Sequence, residues 1–334
     1  MDALHLKDRR ILYQLDLNAR QSDSEIAKKI GLSRDAVSYR INNLVKWGYI
    51  KYFVTIINTT KLGYDWYRTL FRFQNLSAEK ETEIIDYLAK RVTYITRAEG
   101  QWDFITSAFF KNVYEYRDFI REFVGNYSNY IERSDVAIIT RMWSYHRNYL
   151  LGEKREELNY EVVGFDERVP YQHVQIDEID YKILVALSKN GRAKTVEIAR
   201  QIGSTEMVVK YRMNKLIENG IILAFRPIFD ARKLGYFYFK VNFSLHNIST
   251  KNREKILSYI HQYNNIIYSM ELIGGSDLET HIEVKNTDGL YKYIEDMRRE
   301  FGGIIRDHWF MEYKKEIKFE YLPEMNFAPS TRLS

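Results

Sequence analysis

Ser22-Asp23-Ser24-Glu25-Ile26-Ala27-Lys28-Lys29-Ile30-Gly31-Leu32-Ser33-Arg34-Asp35-Ala36-Val37 is the most informative passage of this 334-residue chain. Ser22 and Glu25 have the spacing of a capping box, in which a hydroxyl and a carboxylate each take up a free N–H at a helix start. Ile26, Ala27 and Ile30 give the following short helix one apolar face. Gly31, tolerant of positive φ, ends it. Ser33 then caps a further helix. On it Val37, Ile41 and Leu44 recur at i, i+4 and i+7 and must face inward, and Gly48 stops it. Upstream, a helix opening at Asp8 carries Ile11, Leu12 and Leu15 on one face. Two short helices joined by Gly-Leu-Ser have helix-turn-helix geometry. Residues 49–54 read as a strand where a wing usually stands.

In such a motif the second helix of the pair enters the major groove with its N-terminal residues at the base edges. Beyond the cap Ser33, this helix exposes Arg34, Asp35, Ser38, Tyr39 and Asn42, with Arg40 and Lys46 on its flanks. Arg bonds guanine at two atoms, Asn and Ser reach base edges, and Lys and Tyr bond phosphates. The free N–H groups of the helix start suit a phosphate. A trihelical unit used only for protein contacts has the same inward pattern.

Shifted by 172 residues, the chain matches itself. Asn18-Ala19-Arg20 falls on Asn190-Gly191-Arg192, Glu25-Ile26-Ala27 on Glu197-Ile198-Ala199, Tyr39-Arg40 on Tyr211-Arg212, and Lys61-Leu62-Gly63-Tyr64 on Lys233-Leu234-Gly235-Tyr236. After about position 100 the shift becomes 174, where Asp103 meets Asp277. The chain is therefore a tandem duplication. The second recognition helix keeps its scaffold, with Thr205 as cap, Val209, Met213 and Leu216 inside and Gly220 as stop. Its outer face is different: Glu206, Met207, Lys210, Tyr211, Arg212 and Lys215. Glu206 stands where the first copy has Arg34 and repels phosphate. Two unlike half-sites, or one weaker grip, follow.

The remainder of each unit reads β-α-β-β-α-β. In the first copy the strands fall at 66–73, 93–99, 104–110 and 131–145 and the helices at 78–90 and 113–123. In the second the strands fall at 238–245, 266–273, 278–284 and 304–319 and the helices at 251–263 and 288–301. The fold class is thus α+β: two winged helix-turn-helix domains (1–58 and 176–230) alternate with two ferredoxin-like βαββαβ domains (59–150 and 231–322). A linker at 151–175, charged and containing Pro170, reads as an exposed connection, and 323–334 reads as a tail. Two helices cover one face of each sheet, so the other must find a partner. The other copy's sheet is the natural one, with Trp143, Tyr145, Phe310 and Tyr313 as an aromatic second face.

Composition narrows the function classes. A net charge of +5 is compatible with a polyanionic partner. The absence of Cys removes disulfides, thiolate metal sites and a Cys nucleophile. The seven His residues form no H-x-x-x-H or H-E-x-x-H spacing, so neither a metal nor another cofactor is expected. No phosphate loop and no G-x-S-x-G elbow occurs, and Gly274-Gly275-Ser276-Asp277 lies between strands rather than before a helix. With no run of about 18 apolar residues and no signal-peptide layout, the expected location is cytoplasmic, with no membrane partner. Abundant Ile, Lys and Tyr (27 Tyr) fit an AT-rich genome such as an archaeal one.

The ordered set Glu25-Ile26-Ala27, Gly31-Leu32-Ser33, Arg40-Ile41, Gly48-Tyr49-Ile50, Lys61-Leu62-Gly63 and Gly100-Gln101-Trp102-Asp103, followed by a ferredoxin-like domain, resembles the Lrp/AsnC family of transcription regulators. The resemblance covers nearly the whole chain, twice. It implies double-stranded DNA as partner, dimers built through the sheet faces, often larger homo-oligomers, and an amino-acid effector held near the turn between the second and third sensor strands. Carried over, the effector candidates are Gly100, Gln101 and Asp103, with Gly274, Gly275 and Asp277 in the second copy. There Asp would take an ammonium, and Gly would open backbone N–H groups to a carboxylate. The same residues also simply make a turn, and Ser276 in place of the aromatic points to a lost or altered ligand in the second copy. Family members carry one unit per chain, so the duplication implies an intramolecular pseudo-dimer reading an imperfect palindrome. Two rivals share the architecture. One is a siroheme decarboxylase-like enzyme, which would need a basic, His-bearing pocket and has only His281 and His308 on second-copy sensor strands. The other is an architectural DNA-binding protein.

Overall fold

The computed structural model describes residues 4–155, 160–166, 172–246, 248–325 and 327. The first unit runs α1 (Leu6–Leu17), α2 (Asp23–Ile30), α3 (Arg34–Lys46), β1 (Ile50–Ile57), β2 (Asp65–Phe73), α4 (Ala78–Ala89), β3 (Tyr94–Glu99), β4 (Phe104–Phe110), α5 (Val113–Tyr127) and β5 (Ile131–Tyr145). After β6 (Tyr160–Gly164) the second unit runs α6 (Glu178–Lys189), α7 (Thr195–Ile202), α8 (Glu206–Glu218), β7 (Ile222–Phe229), β8 (Phe237–Leu245), α9 (Thr250–Gln262), β9 (Ile266–Ile273), β10 (Leu278–Val284), α10 (Thr287–Phe301) and β11 (Ile305–Phe319).

The local chemistry read from the sequence forms as expected in the first head. The Ser22 N–H donates to Glu25 Oε2 at 2.7 Å while the Glu25 N–H donates to Ser22 Oγ at 3.2 Å, and Gly31 takes φ +67°. Ile11, Leu12, Leu15, Ile26, Val37, Ile41 and Leu44 close one core. The strand after each trihelical head is present but is not a free wing. β1 and β7 pair antiparallel with each other, Val54 opposite Arg226, as a two-stranded ribbon between the heads. Both are apolar on nearly every residue, so each gains a second buried face by pairing with its counterpart. Pro227 is tolerated because a strand of such a ribbon has only one neighbour.

Below the ribbon the two ferredoxin-like sheets fuse edge to edge. Their internal orders are β5-β2-β4-β3 and β11-β8-β10-β9. The β3–β11 and β5–β9 pairings join them into a closed eight-stranded barrel. Closure leaves no strand edge among the eight. Helices α4 and α5 cover one half of the outside and α9 and α10 the other, over separate cores containing Phe71, Phe104 and Phe123 on one side and Phe243, Ile282 and Tyr293 on the other. The sheet faces expected to meet do meet, as the barrel interior. At one end that interior is apolar, with Leu70, Ala98, Trp102, Ile105 and Met311.

Three expectations are corrected. Trp143, Tyr145 and Phe310 pack into the helix-side core of the second unit, and only Tyr313 of the expected aromatic set lines the interior. β5 is long enough to run past its own domain and deliver Trp143 and Tyr145 against His261 of α9. The connector is not simply an exposed link. Its 160–164 segment is β6, hydrogen-bonded to the end of β5 with Val162 and Val163 buried, and its buried Arg155 donates to the carbonyls of His261, Tyr263 and Asn264. Glu156, Glu157 and Pro170 of that connector lie outside the described residues. The segment expected as a tail packs in part on α6, where the Met325 N–H reaches Tyr181 Oη at 3.2 Å. Its residues 326 and 328–334 lie outside the described set.

A buried ionic network fastens the first head to the barrel. Asp16, on α1 and fully buried, accepts from the Arg147 backbone N–H at 2.7 Å and from its guanidinium at 3.1 Å. Arg147 also grips Glu283 of β10 with two nitrogens at 2.9 and 3.2 Å. Arg226 stands 3.8 Å from Asp16 and donates to the His146 ring. Burial alone would raise the Asp16 carboxyl, but Arg226 and Arg147 together hold it below the usual range. Breaking a buried pair from one side costs about 3–5 kcal/mol. Asp16→Ala is expected to lose that much in urea unfolding, and a loss under about 1 kcal/mol, the worth of a surface pair, would contradict the network.

The imidazoles predict a pH dependence. Burial and then Arg226 push His146 down to about 3 against the opposing Asp16. Burial and then Lys240 push His281 down to about 4 against Glu279. In the unfolded chain both titrate near 6.5. Their stabilising contribution is therefore complete above about pH 6.5 and falls away as pH drops toward the folded values, because unfolding then takes up protons. The melting temperature is expected to decline steadily between about pH 6.5 and 4.5, and the double variant His146→Asn/His281→Gln to flatten that decline. An unchanged slope would show that folding does not displace the titration of either ring.

Candidate nucleic-acid interface

The outward face of α3 is open to solvent. Ser33 caps it, its Oγ accepting from the Ala36 N–H at 3.2 Å. Arg34, Asp35, Asn42 and Lys46 are exposed, Tyr39 is 68% exposed, and Ser38 is half-buried. Arg40 is committed elsewhere, donating to Asp8 Oδ1 of α1 at 2.8 Å. It braces the head rather than standing free beside the helix.

The second head repeats this plan with less free cation. Thr205 caps α8 by accepting from the Val208 N–H at 3.3 Å. Arg212 repeats the Arg40 brace, 2.7 Å from Asp177 and 3.3 Å from Asp180. Lys210 pairs with Glu206 at 2.8 Å, and Glu206 also accepts from Thr195 Oγ1. Lys215 lies over the exposed Tyr211 ring, 4.8 Å from its centroid. Met207 is 78% exposed. α3 therefore presents Arg34 and Lys46 as exposed cations that make no ion pair among the described residues, whereas α8 presents a more neutralised and more apolar face.

Residues that the sequence reading passed over fix the two helices relative to each other. Arg20 donates to the carbonyls of Gly191 and Ala193 at 2.9 and 2.8 Å, and its repeat equivalent Arg192 donates to the Ala19 carbonyl at 2.8 Å and to Asp23 at 3.2 Å. The Ala19 N–H reaches the Phe225 carbonyl, and the Gly191 N–H reaches that of Phe53. Lys61 bonds the carbonyl of Asn219, the residue ending α8, and Lys233 bonds that of Trp47, the residue ending α3. Gly48 and Gly220, at φ +74° and +66°, leave room for these ammonium groups, since a Cβ would meet them at 2.9 and 3.0 Å. The signal was in plain view: Arg20/Arg192 and Lys61/Lys233 are among the residues by which the repeat is recognised.

The turns expected to hold an effector are built from their own chain. Asp103 accepts from Arg72 at 2.9 Å and from the Phe73 N–H at 2.8 Å. Gln101 is exposed and its carbonyl takes Arg133, and Gly100 has φ +135°. Asp277 accepts from the Leu245 N–H at 2.7 Å, and Gly274 and Gly275 take φ +89° and +70°. A Cβ on Gly274 would stand 2.6 Å from the Val136 carbonyl oxygen, so that glycine answers to backbone crowding.

Comparison with known proteins agrees with this geometry. A family model described as winged helix-turn-helix DNA-binding matches residues 4–51 and 176–222, one match per head. An uncharacterized HTH-type transcriptional regulator of Pyrococcus horikoshii is 32% identical over 137 residues, 41% of this chain and 85% of the relative. The HTH-type transcriptional regulator LrpB of Bacillus subtilis is 29% identical over 124 residues, 37% of this chain and 82% of the relative. Among solved structures, the siroheme decarboxylase NirDL superposes with a TM-score of 0.61 at 12% identity, covering 94% of this chain and 93% of that one, a likeness of fold. Each regulator matches the equivalent of one unit, and the unit occurs here twice: the chain belongs to the Lrp/AsnC family of helix-turn-helix transcription regulators, in tandemly duplicated form.

Proposed function

We propose that this chain is a sequence-specific DNA-binding transcription regulator whose two unlike heads read the two halves of an imperfect palindrome. The observation that carries the reading is that both recognition helices are exposed while their C-terminal ends are held by lysines of the opposite unit. Two readers fixed in one rigid frame suit major-groove segments about one helical turn, or a multiple, apart. The candidate base-edge contacts are Arg34, Asp35, Ser38 and Asn42 of the first head. Ser33, Tyr39 and Lys46, with Thr205, Lys210, Tyr211 and Lys215 of the second, are candidate backbone contacts. Arg40 and Arg212 act by bracing their heads. A small-molecule effector, an amino acid in the simplest case, belongs to the same reading.

Selection of binding sites from random DNA at stated salt is expected to return an asymmetric inverted repeat. Perfectly palindromic sites would refute unlike heads, and continuous protection of genomic fragments would favour an architectural role. Arg34→Ala is expected to weaken specific binding by about 1–3 kcal/mol and relax one position of the site. An unaltered preference would remove Arg34 from base readout.

The enzyme reading has one observation in its favour, since His281, Arg68 and Lys240 all line the barrel cavity. Both His281 nitrogens are nevertheless engaged, one by Glu279 and one by Tyr238. Glu283 and Glu316 line the same cavity and would face a tetrapyrrole's carboxylates. We therefore read the chain as a regulator without catalytic activity. Titration with siroheme is expected to leave the tetrapyrrole's visible spectrum unshifted, and a stoichiometric shift would reopen the decarboxylase reading.

A further inference from the structure

The interior of the barrel beneath the ribbon is polar, in contrast to its apolar far end. Its centre is built from repeat equivalents: Arg68 of β2 and Lys240 of β8 occupy matching positions, opposite Ser107 of β4 and His281 of β10. Tyr94 and Tyr268 match in the same way. The acids do not match. Glu279 of β10 pairs with Arg68, and the equivalent position in the first copy is the apolar Ile105. Arg68 has thus received a hydrogen-bonded counter-ion, whereas Lys240 keeps only a 3.8 Å contact with the same carboxylate.

Lys240 is 1% exposed, and its Nζ makes no hydrogen bond among the described residues. The nearest carboxylate oxygen with an ion-pair contact to it is Glu279 Oε1, at 3.8 Å, and that oxygen is already bonded by His281. The acids that line the cavity are engaged too: Glu283 by Arg147, Glu316 by the hydroxyls of Tyr52 and Tyr313, Asp230 by the Lys233 N–H, and Glu320 by Lys318. Burial and the neighbouring Arg68 push the Lys240 ammonium down to about 7. A buried donor left without an acceptor costs about 1–3 kcal/mol, more when charged, so an acceptor brought to Nζ would be favoured there. The walls around it are Tyr94, Tyr238, Tyr268, Phe109 and Met270, with the Tyr94 ring centroid 5.2 Å from Nζ.

We propose that this cavity binds a small monocarboxylate with an aromatic or apolar body, its carboxylate accepting from Lys240 Nζ. An eight-stranded barrel has room for one small ligand. A volume of about 200 Å³, below the roughly 300–1,000 Å³ of drug-sized sites, suits a single-ring metabolite. A phosphate is disfavoured because its second charge would face Glu283 and Glu316 around the one buried ammonium that lacks a hydrogen bond. Exposed lining residues Lys51, Arg232 and Lys314 mark the mouth, two of them in or next to the ribbon strands that join the heads. That the ligand would act as effector rests on the regulatory reading; that it binds does not.

The test uses the full chain without DNA. Phenylacetate, L-phenylalanine and the uncharged isostere phenylacetamide are titrated calorimetrically and by thermal shift. At least one of the two acids is expected to bind and raise the melting temperature, with phenylacetamide weaker by roughly 10–100-fold, the worth of a hydrogen bond to a charged group. Binding by phenylacetate but not by the amino acid identifies a simple acid, and the reverse identifies an α-amino acid. Lys240→Met is expected to abolish the preference for acid over amide while leaving the fold at least as stable. Ala231→Trp, at the mouth and away from Lys240, is expected to block uptake should Lys240→Met fail to fold. Equal affinity for acid and amide, full affinity in both variants, or no binding of either acid up to about 10 mM, a Kd equivalent to under 3 kcal/mol, would overturn the proposal. Because DNA is absent, failure here leaves the regulator reading untouched, and failure of DNA binding leaves this site untouched.

Discussion

Hydrogen bonds to backbone carbonyls, exchanged across the boundary between the two heads, set the geometry of the rest of the molecule. β1 and β7 satisfy each other's ladder, Arg20 and Arg192 each donate to the other head's loop, and Lys61 and Lys233 each hold the end of the other unit's recognition helix. Each donation crosses from one copy to the other, so neither head has its full set of partners alone. The exposed faces of α3 and α8 are thereby fixed in mutual orientation before any nucleic acid arrives, and little ordering cost is left for binding.

The duplication has been used to break symmetry where a dimer of identical subunits could not. The first head is fastened to the barrel through Asp16, Arg147 and Glu283. At the positions equivalent to Asp16 and Arg147 the second copy has Ser188, whose hydroxyl donates to the Val185 carbonyl of its own helix, and Tyr321. Its head is held mainly by apolar packing of α6 and by the chain after β11. The same divergence runs through the outer faces of the recognition helices and the interior of the barrel. In a symmetric dimer every residue near the axis appears twice, so a lone carboxylate such as Glu279 would have a twin. Fusion removes that constraint.

The elements themselves were legible in the sequence because their signals are local. Caps at Ser22, Ser33 and Thr205, stops at Gly31 and Gly48, and strands such as 104–110 and 278–284 follow from spacing alone. The duplication also announced that two bare sheets would face each other. What spacing does not encode is which sheet edges join, because β3–β11 and β5–β9 pair residues more than a hundred positions apart. Trp143 and Tyr145 were misplaced for that reason: their alternation is correct, but the strand carries them into the other unit's core. That Arg40 pairs with Asp8, and Arg212 with Asp177 and Asp180, was not legible because sequence shows a charge and not its partner. That the Lys240 ammonium makes no hydrogen bond among the described residues was invisible, since it depends on acids in β10 and β11 being engaged elsewhere.

Closure of the barrel has a consequence for biogenesis. β11 is translated after every other strand of the ring, yet it seals the edge of β3, more than two hundred residues upstream. Until it emerges, the first unit offers an open edge and a polar inner face to whatever is nearby. A ring sealed by such distant pairing forms slowly, and two nascent chains on one message can exchange second halves. The same sequence similarity that lets one polypeptide imitate a pair thus leaves it open to entanglement with a sibling during synthesis.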